Sequence, residues 1–279
     1  MFCLSNDTSP VLKWAGGKAR ILPQLIPYFP APFIRFLEPF VGAGAVFFSL
    51  SKKVPAVVND SNAELVNLYE VIRDSPLELI AALDRLAHDY SEDFYYRVRA
   101  QRLPNKINQA ARTIFLNKTG FNGLYRLNSK GAFNVPFGKR KKCPALYKRP
   151  NLLAVSERLN KARILNLDFG HVLAMARKGD FVYCDPPYEP LTLTSSFTAY
   201  TAGGFPASEQ IRLKRACEKA VKRGAVVAVS NSSSPFIREL YSDWTIHRIA
   251  ARRAINCKAT RRGEIDEILA VLAHRSGER

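Results

Sequence analysis

Short apolar runs alternate along the chain with segments whose apolar residues recur at helical spacing. Ala63–Arg73 is one such helical segment, and Val46–Ser51 is another. Short buried strands that alternate with helices are typical of a mostly parallel, doubly wound sheet. We therefore predict an α/β fold with strands at Ile34–Phe40, Ala56–Val58, Ile164–Leu167, Phe181–Cys184, Gly224–Val229 and Ile265–Leu272.

The segment from about residue 94 to residue 149 does not follow this alternation. Arg97–Asn117 has helical spacing, and Gly120–Phe137 is punctuated by Asn-Gly, Asn-Ser and Lys-Gly-Ala, as a hairpin is. Gly44 and Asp185, which follow two of the predicted strands, are 141 residues apart. Two βα units need only about 60 residues, so about 80 residues are surplus to the sheet. We predict that they form an insertion.

Basic residues concentrate in this insertion. The chain has 42 Lys and Arg against 24 Asp and Glu, a formal charge of +18. No acidic residue occurs from Phe94 to Ser156, a stretch that holds 14 of the basic residues. A solvated surface normally mixes both signs. An acid-free segment therefore indicates a polyanionic partner, and nucleic acid is the first candidate.

The composition argues against several other classes of protein. With 47% apolar and 24% charged residues, the chain is typical of a globular protein rather than a disordered one. No apolar run approaches the ~18 residues of a membrane span, and the start MFCLSNDTSP lacks the pattern of a secretory signal. The five cysteines are widely spaced and the four histidines form no cluster, so neither disulfides nor zinc is indicated. We expect a reduced, cytoplasmic protein.

Two glycine-containing motifs suit ligand binding. Phe40-Val-Gly-Ala-Gly44 lies between a predicted strand and a helix, where glycines let a ligand approach the backbone and the helix N terminus. Asp60 follows the next strand, near the spacing at which a carboxylate binds ribose hydroxyls in dinucleotide folds. Leu12-Lys-Trp-Ala-Gly-Gly-Lys18 suits a lid over a ligand. Such turns also serve packing alone, so each motif is ambiguous by itself.

Asp185-Pro186-Pro187-Tyr188 follows the apolar run that ends at Cys184. Two prolines stop the strand and fix the chain, so the Asp185 carboxylate and the Pro186 carbonyl can converge. A ring such as Tyr188 beside two acceptors suits an extruded planar base that carries an exocyclic amino group. A rigid turn without chemistry is the alternative.

In order and spacing, LKWAGGK, EPFVGAG, the Asp60 strand end, GFNGLYR, FNVPFG and YCDPPY resemble the motifs of Dam-type DNA adenine-N6 methyltransferases. The resemblance covers essentially the whole chain, and FxGxG precedes DPPY as in the alpha group of these enzymes. It implies a Rossmann-like, S-adenosylmethionine-dependent methyltransferase sheet formed by residues 1–61 and 150–279. It also implies a mainly helical, hairpin-containing target-recognition domain at residues 62–149 and methylation of a flipped-out adenine in duplex GATC.

The resemblance assigns roles around the cofactor S-adenosylmethionine, which becomes S-adenosylhomocysteine. Asp185 and the Pro186 carbonyl would accept both N6 hydrogens of the adenine while Tyr188 stacks on the base, and Pro187 completes the tetrapeptide. A sulfonium methyl needs neither a metal nor a covalent enzyme nucleophile, which agrees with the lack of a ligand cluster. The positions that would bind the cofactor are Trp14, Lys18, Phe40, Gly42, Gly44, Asp60, Asp168, Phe169 and Asp185.

The resemblance also assigns DNA contacts. Lys13 and Arg126 would read guanines, Arg126 through O6 and N7. Leu124 and Pro136 would touch a thymine methyl, and Phe121 would fill the space that the flipped base leaves. Further contacts near the flipped site would come from Asn122, Lys139, Arg140 and Lys141.

Two positions depart from the family pattern and leave the flank preference open. An aromatic residue often stands where this chain has Arg140, and tyrosine often stands at Phe121.

The open alternatives are an adenine methyltransferase of another target sequence, a cytosine-N4 enzyme, an RNA or protein-glutamine methyltransferase, and a catalytically silent DNA-binding homologue. RNA and protein-glutamine enzymes typically carry NPPY rather than DPPY. We expect a monomeric enzyme that acts on double-stranded DNA, associates with the nucleoid and does not bind membranes.

Overall fold

The computed structural model describes residues 8–14, 16–128, 131–189, 205–252 and 264–273. Its strands are β1 Arg35–Glu38, β2 Ala56–Asn59, β3 Ala162–Leu165, β4 Asp180–Cys184, β5 Val226–Ser232, β6 Thr245–Arg252 and β7 Glu264–Leu272. Its α-helices are α1 Leu22–Leu25, α2 Ala45–Ser49, α3 Ala63–Asp74, α4 Pro76–His88, α5 Glu92–Ala100, α6 Lys106–Thr119, α7 Arg149–Leu159, α8 Phe169–Ala174, α9 Ala207–Lys222 and α10 Pro235–Leu240. None of the helices in these residues is long and apolar enough to span a membrane.

The strands form one sheet in the order β3-β2-β1-β4-β5-β7-β6. Strands β1 to β5 pair in parallel, whereas β7 pairs antiparallel with both β5 and β6. The prediction of a mostly parallel, doubly wound sheet is confirmed. The chain order reverses between β1 and β4, and in such sheets ligands bind outside the carboxyl ends of the strands at this point.

Apolar side chains cover both faces of the sheet. Phe36 and Phe181 lie in the core on one face, and Leu37 and Val182 lie in the core on the other, all of them fully buried. Successive residues of a strand point to opposite faces, so a strand with both faces buried is apolar throughout. This pattern made the central strands predictable from the sequence.

The predicted strand ends agree with the structure to within a few residues. Strand β5 differs most, because the predicted Gly224–Val229 begins two residues before the observed Val226 and ends three residues before the observed Ser232. The predicted Ile164–Leu167 is displaced from the observed Ala162–Leu165 of β3 by two residues at each end. Strand β3 lies at the edge of the sheet and its residues are mostly half-exposed. An edge strand buries little of its surface, so its apolar residues marked its position poorly.

The insertion is mainly helical and contains a hairpin, as predicted, but the single helix expected at Arg97–Asn117 is wrong. The structure has α5 ending at Ala100 and α6 beginning at Lys106. Between them Pro104 disfavours a helical conformation at the residue before it, and the Asn105 side chain caps α6 by accepting a hydrogen bond from the Asn108 amide.

The hairpin prediction over Gly120–Phe137 is confirmed. Antiparallel bridges join Gly120 to Phe137 and Leu127 to Phe133. The Asn128 amide donates to the Ala132 carbonyl at the closed end. Apolar residues of the hairpin and of helices α3 to α6 belong to the same core as one face of the sheet, so the hairpin is held against the sheet domain.

Candidate active site

The carboxyl ends of β1, β2, β3 and β4 bring most of the candidate residues to one edge of the sheet. The glycine turn follows β1, Asp60 follows β2, and Asp185 follows β4. Asp168 lies three residues beyond β3, at the start of α8. Because these strands are parallel, their carboxyl ends meet at one edge, as the sequence spacing predicted.

The glycine turn after β1 lies beneath the Trp14 indole. Gly42 and Gly44 have φ angles of 49° and 73°, and Gly44 is the N-cap of α2. A Cβ atom on Gly42 would lie 3.2 Å from Trp14 Cδ1 and Nε1. A side chain at Gly42 would therefore displace the indole and close the space between the turn and Trp14.

Asp60 fixes the glycine turn to the end of β2. Its Oδ2 accepts a hydrogen bond from the Gly42 amide at 3.0 Å, and its Oδ1 accepts one from the Asn62 amide at 2.9 Å. Burial raises the pKa of Asp60, and these hydrogen bonds oppose the rise. Each carboxylate oxygen can accept about two hydrogen bonds, so Asp60 keeps acceptor capacity for a ligand hydroxyl.

An aromatic cluster lies on the other side of the glycine turn. The Phe40 ring centre lies 5.3 Å from that of Phe169, and the Phe205 ring centre lies 5.8 Å from both. Arg212 stacks its guanidinium 3.9 Å from the centre of the Phe169 ring. The cluster offers flat apolar surface that suits an aromatic heterocycle.

Asp168 is bound by Arg212 beside this cluster. Arg212 Nη1 and Nη2 donate to Asp168 Oδ1 and Oδ2 at 2.8 and 2.7 Å, and the Gly170 amide donates to Oδ1. The Arg212 hydrogen bonds are the largest cause that lowers the pKa of Asp168. Asp168 is therefore ionised at neutral pH. It caps the N terminus of α8, and the Arg212 guanidinium binds both of its carboxylate oxygens.

Asp185 lies in a network of two carboxylates and two donors. Lys18 Nζ lies 3.0 Å from Asp185 Oδ1 and 3.8 Å from Glu267 Oε2. The Tyr188 hydroxyl donates to Glu267 Oε2 over 2.8 Å, and Lys18 Nζ lies 4.5 Å from the centre of the Tyr188 ring. The Lys18 side chain is 4% exposed, whereas those of Asp185 and Glu267 are 21% and 19% exposed. The carboxylates reach solvent and the lysine lies behind them.

Burial sets the protonation states in this network. It raises the pKa of Asp185 to about 6, while the Lys18 ammonium lowers that pKa and the Glu267 carboxylate raises it. Burial also raises the pKa of Tyr188 well above its usual value. At neutral pH Asp185 is therefore mostly ionised and able to accept hydrogen bonds, and Tyr188 keeps its proton.

A buried pair of amides holds the loop after Asp185. Gln210 Nε2 donates to the Pro187 carbonyl at 3.1 Å, and Asn231 Nδ2 donates to Gln210 Oε1 at 3.0 Å. Asn231 Oδ1 accepts from the Glu189 amide at 3.3 Å. Pro186 is itself buried. The tetrapeptide is thus fixed from α9 and β5 as well as by its own prolines.

The hairpin brings the proposed base-reading residues together on an exposed surface. The Phe121 amide donates to the Pro136 carbonyl at 2.9 Å, and the Phe121 side chain is 50% exposed. Asn122, also exposed, has a φ of 55°, and Leu124 is half-buried. Arg126 donates from Nε to Asn134 Oδ1 at 2.8 Å across the hairpin.

The basic residues after the hairpin form a second exposed group. Lys139, Arg140 and Lys141 are all exposed. Lys139 has a φ of 52°, and the Arg140 carbonyl accepts a hydrogen bond from the Tyr90 hydroxyl at 3.0 Å. The Gly138 amide donates a hydrogen bond to the Thr119 carbonyl at the base of the hairpin, so this group begins directly after the hairpin.

Asn117 joins the Lys13 segment to the hairpin. This buried residue of α6 accepts a hydrogen bond from the Lys13 amide at 2.9 Å and donates to the Lys13 carbonyl at 2.8 Å. Asn117 also donates to the Gly123 carbonyl at 3.0 Å. Lys13, Trp14 and Lys18 therefore belong to a segment that is bound directly to the hairpin.

Replacing Asn117 with alanine is expected to lower the free energy of unfolding by about 2–4 kcal/mol, because it leaves three backbone groups without their partner. Urea denaturation followed by circular dichroism measures the loss. Asn108→Ala, an exposed position on the same helix, is the control and should change stability by less than about 0.5 kcal/mol. Equal losses at the two positions would contradict the bridging role of Asn117.

The sequence did not identify five residues that the structure places in or beside the site: Asn117, Gln210, Arg212, Asn231 and Glu267. Asn231 begins the polar Asn-Ser-Ser-Ser run after the apolar part of β5, and that run was a usable signal. Glu267 had no such signal in the sequence, because β7 is antiparallel and its beginning, not its end, lies at the edge of the sheet that holds the site. Ser232 at the end of β5 is paired with Glu267.

Within the described residues, no group of three or more His, Cys, Asp or Glu is arranged to hold a metal ion.

Residues 14–255 match the protein family described as D12 class N6 adenine-specific DNA methyltransferase. The chain is 41% identical over 268 residues to the Type II methyltransferase M1.LlaDCHI of Lactococcus lactis subsp. cremoris, which covers 93% of this chain and 94% of that protein. It is 40% identical over 277 residues to the Type II methyltransferase M.MjaIII of Methanocaldococcus jannaschii, with 92% and 96% covered. It is 33% identical over 264 residues to the DNA adenine methylase of Escherichia coli K12, with 93% and 94% covered.

Proposed function

The chain belongs to the D12 class N6 adenine-specific DNA methyltransferase family, and from this premise we propose that it methylates adenine N6 within duplex GATC. The observation that carries the proposal is the position of Asp185. Its ionised carboxylate lies at the reversal point of the sheet, beside the Tyr188 ring and beyond the glycine turn. A half-buried acceptor next to an aromatic ring fits a flipped-out base with an amino group.

The residues around the glycine turn fit S-adenosylmethionine, the cofactor of this enzyme family. A Cβ atom on Gly42 would lie only 3.2 Å from the Trp14 indole, so the glycine lets the indole lie close over the turn. Asp60 has acceptor capacity for ribose hydroxyls, and the rings of Phe40 and Phe169 offer a surface for the adenine. When bound there, the cofactor supplies an electrophilic methyl group.

The catalytic role of the chain is to orient the base and to remove a proton. Adenine N6 is a poor nucleophile because its lone pair is delocalised into the ring. Asp185 and the Pro186 carbonyl would accept the two N6 hydrogens and so direct the lone pair, while Tyr188 stacks on the base. The N6 proton lost on methylation would pass to Asp185. Such catalysis consists of positioning and electrostatics.

The hairpin and the basic residues after it would read the target. We assign residues 62–149 to target recognition, and residues 1–61 and 150–279 to methyl transfer. Arg126 and Lys13 would read guanines, Leu124 and Pro136 a thymine methyl, and Phe121 would fill the gap in the duplex. The exposed positions of Phe121 and Arg126 on one hairpin support this assignment. The enzyme would act as a monomer, without a metal, in the cytoplasm beside the nucleoid.

Digestion of plasmid DNA tests the base and the target together. The protein is expressed in a host that lacks DNA methylation, and the plasmid is treated with a GATC nuclease that adenine methylation blocks and with one that requires it. Resistance to the first nuclease with cleavage by the second is expected. Cleavage by the first and resistance to the second would exclude GATC, and detection of N4-methylcytosine in the hydrolysed DNA would exclude adenine.

Lys141→Ala is expected to weaken DNA binding to all sequences alike and to reduce the slope of log affinity against log salt by about one unit. Lys141 is exposed within the acid-free stretch, and a phosphate contact carries no sequence information. Fluorescence anisotropy at several salt concentrations measures the slope with specific and random duplexes. Lys222→Ala, at an exposed position on α9, should leave the slope unchanged. A loss confined to the specific duplex would contradict the phosphate assignment.

A further inference from the structure

Glu267 lies in direct contact with two residues of the proposed active site. It belongs to β7, which pairs with β5 so that Glu267 stands opposite Ser232. Its Oε2 accepts the Tyr188 hydroxyl at 2.8 Å and lies 3.8 Å from Lys18 Nζ. The hydroxyl contact is a hydrogen bond, whereas the lysine contact is longer than one. Glu267 therefore binds Tyr188 more closely than it binds Lys18.

The Tyr188 hydroxyl has a second acceptor within reach, the carboxylate of Asp185. In the structure this hydroxyl donates its hydrogen bond to Glu267, and an interaction with Tyr188 is among the causes that lower the pKa of Asp185. Two carboxylates thus compete for one hydroxyl. A hydroxyl that turned to Asp185 would take one of the about four lone pairs of the carboxylate, one of which already faces Lys18, and it would carry the Tyr188 ring with it.

Resting on the proposed function, we propose that Glu267 is a positioning residue that binds the Tyr188 hydroxyl and so keeps Asp185 open to the adenine amino group. The Lys18 ammonium lies 4.5 Å from the centre of the Tyr188 ring and covers one face of it, and the base would stack on the other face. With Glu267 in place, the ring has one orientation and Asp185 keeps its acceptor capacity. Without Glu267, the hydroxyl turns to Asp185.

Four variants test this competition in single-turnover methylation assays. Glu267→Ala removes the acceptor and is expected to slow methyl transfer about tenfold, the effect of one charge-assisted hydrogen bond. Glu267→Gln keeps an acceptor for the hydroxyl and should lose less than about threefold. Tyr188→Phe keeps the ring and should also lose about threefold. The double variant Glu267→Ala/Tyr188→Phe should be as active as Tyr188→Phe, since no hydroxyl remains to block Asp185.

Recovery of activity in the double variant is the decisive result, because a structural role for Glu267 would give losses that multiply. Multiplied losses, or an unchanged rate in Glu267→Ala, would overturn the proposal. Glu239→Gln, at an exposed position on α10, is the control for the loss of a surface carboxylate. A wild-type protein that methylates no adenine would instead refute the proposed function itself, so the two failures are distinguishable.

The pH profile gives a second readout that does not depend on the double variant. Lys18, Glu267 and Tyr188 act on the pKa of Asp185, and the charge of Asp185 in turn raises the pKa of three groups of the central strands, Glu38, Tyr183 and Cys184. Asp185 accepts hydrogen bonds when ionised, so the rate should fall as the pH drops through its pKa of about 6. Glu267 raises this pKa, and Glu267→Gln should therefore move the fall to lower pH. An unmoved profile would contradict the proposal.

Discussion

Asp185→Ala is expected to abolish methylation, with a loss of roughly 10³-fold or more, and to leave the protein folded. The variant removes the acceptor that would direct the N6 lone pair, and groups that stabilise charge in a transition state contribute effects of this order. The fold should tolerate the change, because Lys18 keeps Glu267 as a neighbouring carboxylate and the Asp185 side chain is partly exposed. Incorporation of radiolabelled methyl groups into a GATC duplex measures the loss.

Binding assays separate a catalytic defect in Asp185→Ala from a folding defect. DNA affinity should stay within about threefold of the wild type, since phosphate contacts dominate it. Asp243→Ala is the matched control, because this exposed carboxylate pairs with Lys214 away from the site and its loss should leave methylation intact. Methylation by Asp185→Ala within tenfold of the wild-type rate would overturn the proposed mechanism.

Arg126→Ala is expected to reduce discrimination at one guanine by about 1–3 kcal/mol, or roughly 5–150-fold. Two of the five N–H donors of the guanidinium bind Asn134 across the hairpin. The other donors suffice for a bidentate contact with O6 and N7. Because Asn134 fixes the guanidinium, little side-chain entropy is lost on binding. Competition between duplexes that differ at each position of the target measures the effect.

Two companion variants sharpen the Arg126 prediction. Arg126→Lys keeps the charge but not the planar fork, so it should lose discrimination nearly as fully as alanine does. Asn134→Ala keeps the Arg126 guanidinium but removes the side-chain acceptor that fixes it. We expect this variant to lose less discrimination at the same guanine than Arg126→Ala does. If the sequence preference of Arg126→Ala is unchanged at every position of the target, or if the variant binds all duplexes more weakly to the same extent, the base-reading role is wrong.

The central part of the fold was predictable because it depends on local pattern. Strands β1, β2 and β4 are buried on both faces, so each has a central run of apolar residues, with the charged or polar residues at its ends. Strand β6 was not predicted, since Thr245–Arg252 mixes polar and apolar residues at the sheet edge. The break between α5 and α6 was missed because helical spacing continues through a segment in which Pro104 disrupts the helix.

Site residues that directly follow parallel strands were predictable from the sequence. Site residues whose role depends on a contact with a distant part of the chain were not. Asp60 and Asp185 follow apolar strands, so chain order alone brings them to one edge. The hydrogen bond of Gln210 to Pro187 spans 23 residues, and that of Asn117 to Lys13 spans 104. A buried amide on a helix is also typical of plain packing, and only the three-dimensional arrangement shows which backbone group it serves.

Strand β7 fills an interior place in the sheet although it is the last strand along the described chain. During translation β1 to β5 can pair as they leave the ribosome, but β6 must wait for β7, its hydrogen-bonded neighbour. Glu267 arrives with β7. A nascent chain released before residue 264 would contain Asp185 but lack β7, so β5 would be an unpaired edge of the sheet. Tyr188 would lose the acceptor of its hydroxyl, and Lys18 would lose one of its two neighbouring carboxylates.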